Sequence, residues 1–237
     1  MDMAGHAGLC RDDTGRCVDG TQTHVVRRAD MEADQKPVMQ RALGEEWEKL
    51  HAAVRRHYDL TPGMEQSCTL AGNMEEITHS PLAKPFILFG RMFGALVPYR
   101  GQNVPVEVLN RTYRDRPAMF WHRTFRFQGR KPYVFQSRME HLEGREIVEF
   151  VRLNLGICMH LSEIDGALCY TSNGYLWRIG SFHIRIPDWL LLGKARIVEY
   201  GVDDDTVMLD FVIRHPLWGR TFGYKGTFRL KGSAAMP

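Results

Sequence analysis

Apolar positions recur along this chain with two different periods, and the change between them organises it. Met39, Leu43, Trp47, Leu50, Val54 and Tyr58 succeed one another at three- and four-residue steps. That spacing puts side chains on one face of a helix, so the pattern predicts an amphipathic helix over roughly residues 38–58. Thr61-Pro62-Gly63 stops it. CTLAGNMEEIT, about residues 68–78, predicts a short strand, with Gly72 at a bulge or a close approach of another backbone. Pro81 and Pro85 precede FILFGRMFGAL, a second and more buried helix that Pro98 ends.

From Val104 onward the period falls to two. Val104, Val106 and Val108 alternate with Pro105 and Glu107. Met119, Trp121, Arg123, Phe125 and Phe127 share one face of a strand, and Phe120, His122, Thr124 and Arg126 share the other. Turn signals separate the later strands: Gly129-Arg130-Lys131-Pro132, Glu143-Gly144-Arg145, Asp165-Gly166 and Asn173-Gly174. Two late strands, about 194–201 and 206–214, flank Gly201-Val202-Asp203-Asp204-Asp205, where Asp and Gly suit a solvated hairpin tip better than a metal site. Near the end, HPLWGRTFGYKG places Pro216 where ladder pairing must break and Gly219 where the chain turns. TFGYKGTFRL then returns antiparallel to DFVIRH, with Gly223 and Gly226 relieving crowding in a bent sheet. Roughly nine strands with helices gathered before them predict an α+β fold. Its centre is a large, strongly curved antiparallel β-sheet, half-barrel to barrel, packed on N-terminal helices.

Length and composition set the frame. The 237 residues, 44% hydrophobic, suffice for one well-cored domain at 37–232, after a polar, disordered leader at 1–36 and before a short tail at 233–237. The net charge of +3 is spread over scattered arginines, which does not suit a nucleic-acid partner. PFILFGRMFGALV is broken by Arg91 and too short for a transmembrane segment, and the N-terminus lacks the apolar stretch of a signal peptide. Five cysteines, an odd number, do not suit a disulfide framework, and the expected compartment is the cytoplasm. Cys10 and Cys17, with His6 and His24 nearby, match no standard zinc spacing and read as reduced thiols in the leader. No metal and no cofactor is expected.

Nucleotide-binding, P-loop, nucleophile-elbow, zincin and C-x-x-C signatures do not occur. The remaining chemistry is a set of polar residues within apolar strands. Arg123 shares a face with Trp121 and Phe125, and a buried guanidinium needs an acid or an anionic ligand. Ser137 lies on the next strand, Glu149 on the one after, and Glu199 ends the run ARIVE. Either Glu149 or Glu199 forms an internal ion pair with Arg123, or Arg123 orients a carboxylate, phosphate or enolate while a carboxylate serves as acid or base. His215, beside Pro216, is the default type of general base, although a surface or satisfied core histidine is commoner. In IPDWLLLGKA, Trp189 to Leu192 form a lid over the open end of the sheet, an interface patch, or simple packing against the N-terminal helix.

These residues also carry a family resemblance. W-x-R-x-F is present as Trp121, Arg123 and Phe125, and F-x-S as Phe135 and Ser137. A G-x-x-V-E element, with one extra residue, is present as Gly144, Val148 and Glu149. P-x-x-L and a later Glu match Pro187, Leu190 and Glu199, and H-P-L-x-G…Y-x-G matches His215, Pro216, Leu217, Gly219, Tyr224 and Gly226. With Leu50 to Val54, Gly72 and Met74 upstream, the chain resembles, over about residues 45–230, the bacterial family called domain of unknown function 4166. That domain occurs alone or behind a saccharopine-dehydrogenase-like reductase. The resemblance implies a fold and a shared importance of Arg123, Ser137, Glu149, Glu199, His215 and Tyr224, but no reaction.

Three functions stay open from the sequence. The first is binding of a small hydrophobic molecule with one polar or anionic end, with Trp121, Phe125, Trp177 and the Trp189–Leu192 loop as apolar wall. In that reading Arg123, Ser137 and Tyr224 meet the polar end. The second is an isomerase, cyclase or lyase on a hydrophobic metabolite, with Glu149, Glu199 or His215 moving protons. The third is docking onto a separately encoded reductase.

Overall fold

Gly44 decides how the N-terminal segment folds. In the computed structural model, which describes residues 36–235, the single helix expected over 38–58 is two: α1 (Val38–Leu43) and α2 (Ala52–Tyr58), joined by a 3-10 segment, Gly44–Lys49. Gly44 ends α1 at φ 58 and ψ −126, a conformation glycine reaches without a Cβ penalty. His51 starts α2, its Nδ1 accepting the Ala53 N–H at 3.3 Å. The helical spacing survives the break because the segment bends across a concave surface. Met39, Leu43, Trp47, Leu50, Val54 and Tyr58 are all buried. The leader up to residue 35, with His6, Cys10, Cys17 and His24, lies outside the described residues.

Alternating sequence then builds eleven strands among the described residues. They are β1 (Gln66–His79), β2 (Gly101–Tyr113), β3 (Arg116–Phe125), β4 (Tyr133–His141), β5 (Glu146–Phe150) and β6 (Leu155–Ile164). After them come β7 (Ala167–Ile179), β8 (Phe182–Ile186), β9 (Lys194–Gly201), β10 (Thr206–His215) and β11 (Gly219–Ala235). The last strand runs on past residue 232. The order β6-β5-β4-β3-β2-β1-β11-β10-β9-β7, with β6 also paired to β7, closes a ten-stranded antiparallel barrel. β8 hangs on β7 outside the ring.

Two registers shape the wall. β1 crosses β11 with Gly72 opposite Phe228, and a Cβ at Gly72 would lie 1.9 Å from the Thr227 carbonyl oxygen. The close approach expected at Gly72 is therefore where two central strands meet. At the seam, β9 pairs with β7 only from Leu168 to Thr171, and from Tyr175 onward the same edge of β7 pairs with β8. Between the two ladders, Ser172 Oγ accepts the Ala195 N–H at 2.8 Å and bridges the gap.

The barrel has two unlike ends. The floor holds α1, the 3-10 segment and α2, docked through the bidentate pair of Arg145 with Glu46 and the His51 N–H to the Gly166 carbonyl at 2.9 Å. The mouth holds the β1–β2 connection with α3 (Lys84–Phe93), the β5–β6 turn, β8 with the loop after it, and the β10–β11 turn. Pro85 sits in the first turn of α3 and Gly94 caps it in the left-handed region. Inward positions are mainly apolar, whereas Glu107, Gln136, Asp210, Lys225 and Arg229 are exposed on the outer wall. That is the reverse of a membrane-spanning barrel, whose outer band is apolar. No helix among the described residues is long and apolar enough to cross a membrane.

Candidate functional site

β3 turns Met119, Trp121, Arg123 and Phe125 inward, as the alternation requires, and so brings a guanidinium into the barrel. Its acid is Glu149 of β5: Arg123 Nη2 donates to Glu149 Oε1 at 2.8 Å. Ser137 of β4 lies between them, its hydroxyl donating to the same oxygen at 2.6 Å and accepting from Arg123 Nη1 at 3.4 Å. The guanidinium also lies 3.9 Å from the centre of the Trp121 ring and 4.8 Å from that of Phe135, a cation held between aromatic walls. Of the two carboxylates expected for Arg123, Glu149 takes the role and Glu199 does not.

Glu199 belongs to a second cluster on the floor. Tyr58, the last residue of α2, donates to Glu199 Oε1 at 2.8 Å and Oε2 at 2.9 Å. His57 Nε2 lies 3.2 Å from Oε2. Tyr170 of β7 donates to the Tyr58 hydroxyl at 2.6 Å. Burial raises the Tyr58 hydroxyl well above the ordinary tyrosine range, and the Glu199 charge adds to it. The same two causes, in the same order, raise Tyr170. Burial also raises Tyr224 of β11.

Between these clusters, polar atoms lack partners among the described residues. Asn110 of β2 and Trp121 of β3 are opposite one another in the ladder. Asn110 Nδ2 donates to the His57 carbonyl at 3.1 Å, but Asn110 Oδ1 and Trp121 Nε1 are buried without a hydrogen bond among the described residues. The Tyr224 hydroxyl likewise has none among them. Native interiors rarely leave such groups unmet.

These groups face a cavity of about 190 Å³. A smaller apolar cavity, of about 150 Å³, is enough to bind benzene. Its lower wall is polar, with Tyr58, Asn110, Trp121, Tyr170 and Glu199, and its upper wall is apolar. Phe86, Phe89 and Phe93 of α3, with Leu96, Leu191 and Leu192, line the part nearest the mouth.

The residues expected to form the site therefore divide. Trp121, Arg123, Glu149, Glu199 and Tyr224 line the cavity, and Ser137 holds the Arg123–Glu149 pair from behind. Phe125 is fully buried wall packing, stacked near Phe127 and Tyr133. Trp177 packs edge-on against Phe93 and donates to the Leu153 carbonyl, away from the cavity lining. His215 is spent on the turn: Nδ1 accepts the Leu217 N–H at 3.1 Å, Nε2 faces the Trp189 carbonyl at 2.7 Å, and the ring stacks on Trp218. It does not join Arg123, Glu149 or Glu199. In the 189–192 loop, Leu191 and Leu192 reach the cavity while Trp189 and Leu190 face outward. Sequence reasoning missed His57, Tyr58, Asn110 and Tyr170. For Tyr170 a signal existed, since it alternates with Leu168 and Ser172 on the inward face of β7.

Comparison with known proteins gives one family and one solved structure. The family model described as domain of unknown function (DUF4166) matches residues 50–228. The S-type phycobiliprotein lyase CPES from Guillardia theta is similar at a TM-score of 0.30 and 10% identity, over 85% of this chain and 96% of that one. A search of curated proteins returns no match.

Proposed function

We propose that this chain, which belongs to the DUF4166 family, binds one small apolar molecule inside its barrel, with a neutral polar end directed to the floor. One observation carries the reading: Trp121 Nε1 and Asn110 Oδ1 are a donor and an acceptor on neighbouring strands, both buried and unpaired on the lower wall of the cavity. Leaving such groups unmet costs about 1–3 kcal/mol each, and a ligand hydroxyl, carbonyl or amide at that height relieves the cost. The end is neutral rather than anionic because Glu149 already matches the charge on Arg123. An added anion would compete with that carboxylate at a site with little water to screen it. The ligand's apolar part then lies against Phe86, Phe93, Leu96 and Leu192.

Native mass spectrometry of freshly purified protein, with an organic extract run in parallel, tests this. The expected result is an apolar adduct that solvent releases and that Trp121→Phe weakens. A protein that shows only its own mass, and takes up no apolar fluorophore such as N-phenylnaphthylamine, would falsify the proposal.

A second reading, an isomerase, cyclase or lyase, has one observation in its favour. Glu149 Oε2 accepts no hydrogen bond among the described residues, so a carboxylate oxygen is left to take a proton from a molecule in the cavity. Incubation in heavy water separates the two. Turnover would place deuterium on a ligand carbon with the natural protein and not with Glu149→Gln, whereas simple binding returns the ligand unlabelled.

A further inference from the structure

The mouth of the barrel carries a ring of exposed apolar side chains. α3 buries Ile87 and Phe93 but turns Leu88 and Met92 outward, each 65% exposed, with Phe89 at the rim between cavity and surface. Leu153 continues the ring on the β5–β6 turn, where Arg152 packs beside Gly94 at the end of α3. Phe182, 73% exposed, and Ile184 continue it on β8. Trp189 and Leu190 lie in the next loop, and Leu217, 82% exposed, with Trp218 in the β10–β11 turn. Contacts tie these segments together: His215 joins the last turn to Trp189, and Trp218 packs 5.5 Å from Phe86 of α3. Exposed apolar groups scattered singly are ordinary, but so many on adjoining connections around a cavity mouth mark an interaction surface.

Charge identifies what fits it. From Ser80 to Arg100 the mouth connection holds Lys84, Arg91 and Arg100 and no acid. The β3–β4 connection adds Arg130 and Lys131, the β5–β6 turn Arg152, and β8 Arg185, again with no acid among them. Asp188 is the one acid in these connections, and it is half-buried. Lys84, Arg91, Arg152 and Arg185 are exposed and form no ion pair among the described residues. The floor is mixed instead: Glu45, Glu46, Glu48, Asp165 and Asp203 to Asp205 stand beside Lys49, Arg55, Arg56, Arg114, Arg116 and Arg145, several of them ion-paired.

We infer that the mouth docks on the surface of an anionic lipid bilayer, the apolar ring entering the headgroup region while the flanking Lys and Arg meet lipid phosphates. Apolar burial and attraction to anionic headgroups are the two components of interfacial binding, and indole rings favour that depth. Each basic residue near such a surface adds about fivefold in affinity. The inference is independent of what the barrel holds.

Flotation of the full chain with vesicles tests it, using phosphatidylcholine alone and phosphatidylcholine with phosphatidylglycerol at about three to one, in low and high salt. The expected result is uptake by the anionic vesicles at least about tenfold stronger than by the neutral ones, decreasing as salt rises. Trp emission should shift to the blue on uptake. Leu217→Glu with Phe182→Glu, both exposed and outside the cavity wall, should abolish uptake without altering the thermal melt. Equal uptake by both vesicles, or uptake that survives the double change, overturns the inference. Light scattering that shows a dimer broken by the same double change, without vesicle uptake, also overturns it and assigns the ring to a second copy. A monomer with no uptake overturns it as well and assigns the ring to a protein partner such as a separate reductase.

Discussion

Arg123 and Glu149 come from strands two apart and meet at 2.8 Å inside the barrel, with Ser137 on the strand between them bonded to both. The pair is less than a tenth exposed, so neither charge has much water to fall back on. Removing one partner leaves the other buried and unmatched. Glu149→Gln is expected to cost about 3–5 kcal/mol in urea unfolding, whereas Arg123→Met with Glu149→Leu recovers most of that loss. A double variant no more stable than the single one would show that the pair does more than cancel charge.

Trp121→Phe probes both binding and folding. The indole N–H has no protein partner to lose, so the cost is the lost packing and part of the Arg123 contact, about 1–2 kcal/mol in urea unfolding. Affinity for the retained ligand should fall about fivefold, the worth of one hydrogen bond near 1 kcal/mol. An unchanged affinity would remove this N–H from the site.

Buried tyrosines set an alkaline limit. Tyr58 and Tyr170 are held protonated in the fold above the ordinary tyrosine value of 10.0. In the unfolded chain they ionise near that value. The folded state therefore binds more protons above pH 10, and stability falls as pH rises from there. Each such tyrosine contributes a loss of about 1.4 kcal/mol per pH unit until its folded value is reached. Urea midpoints measured between about pH 9 and pH 11 should show this slope, and Tyr170→Phe should reduce it by one tyrosine's share.

Gly72→Ala probes the closest strand crossing. Its new methyl would stand 1.9 Å from the Thr227 oxygen, a backbone atom that moves only if β1 and β11 part. The expected cost is about 1–3 kcal/mol or more, read from the shift in thermal midpoint.

The inward face of β3 and the pairing of Arg123 with a carboxylate come from alternation alone, because period two is local and the next strands in sequence are neighbours in space. The Asp165-Gly166 hairpin is legible for the same reason, and both residues take positive φ. The floor cluster is not. Tyr58 reaches Glu199 across 141 residues and Tyr170 across 112, and no local pattern encodes such contacts. Tyr58 reads as one more apolar helix position, and its hydroxyl acquires a role only when the barrel closes. His215 misleads in the opposite direction. A histidine beside a proline suggests chemistry, yet both its ring nitrogens are occupied in holding a turn. The break at Gly44 is hidden because a bent segment over a concave floor keeps helical spacing.

The seam in the wall bears on time rather than affinity. Beyond Thr171, β7 and β9 are no longer joined by a backbone ladder, and the Ser172–Ala195 hydrogen bond is the bridge across the gap. Tyr175, just past it, borders both the cavity and the outer cleft beside Asp188. A strand pair held so sparsely opens at far lower cost than the ten-stranded ring unfolds. Ser172→Ala, which strands the buried Ala195 N–H, should speed amide exchange on both sides of the gap and lower stability by about 1–3 kcal/mol.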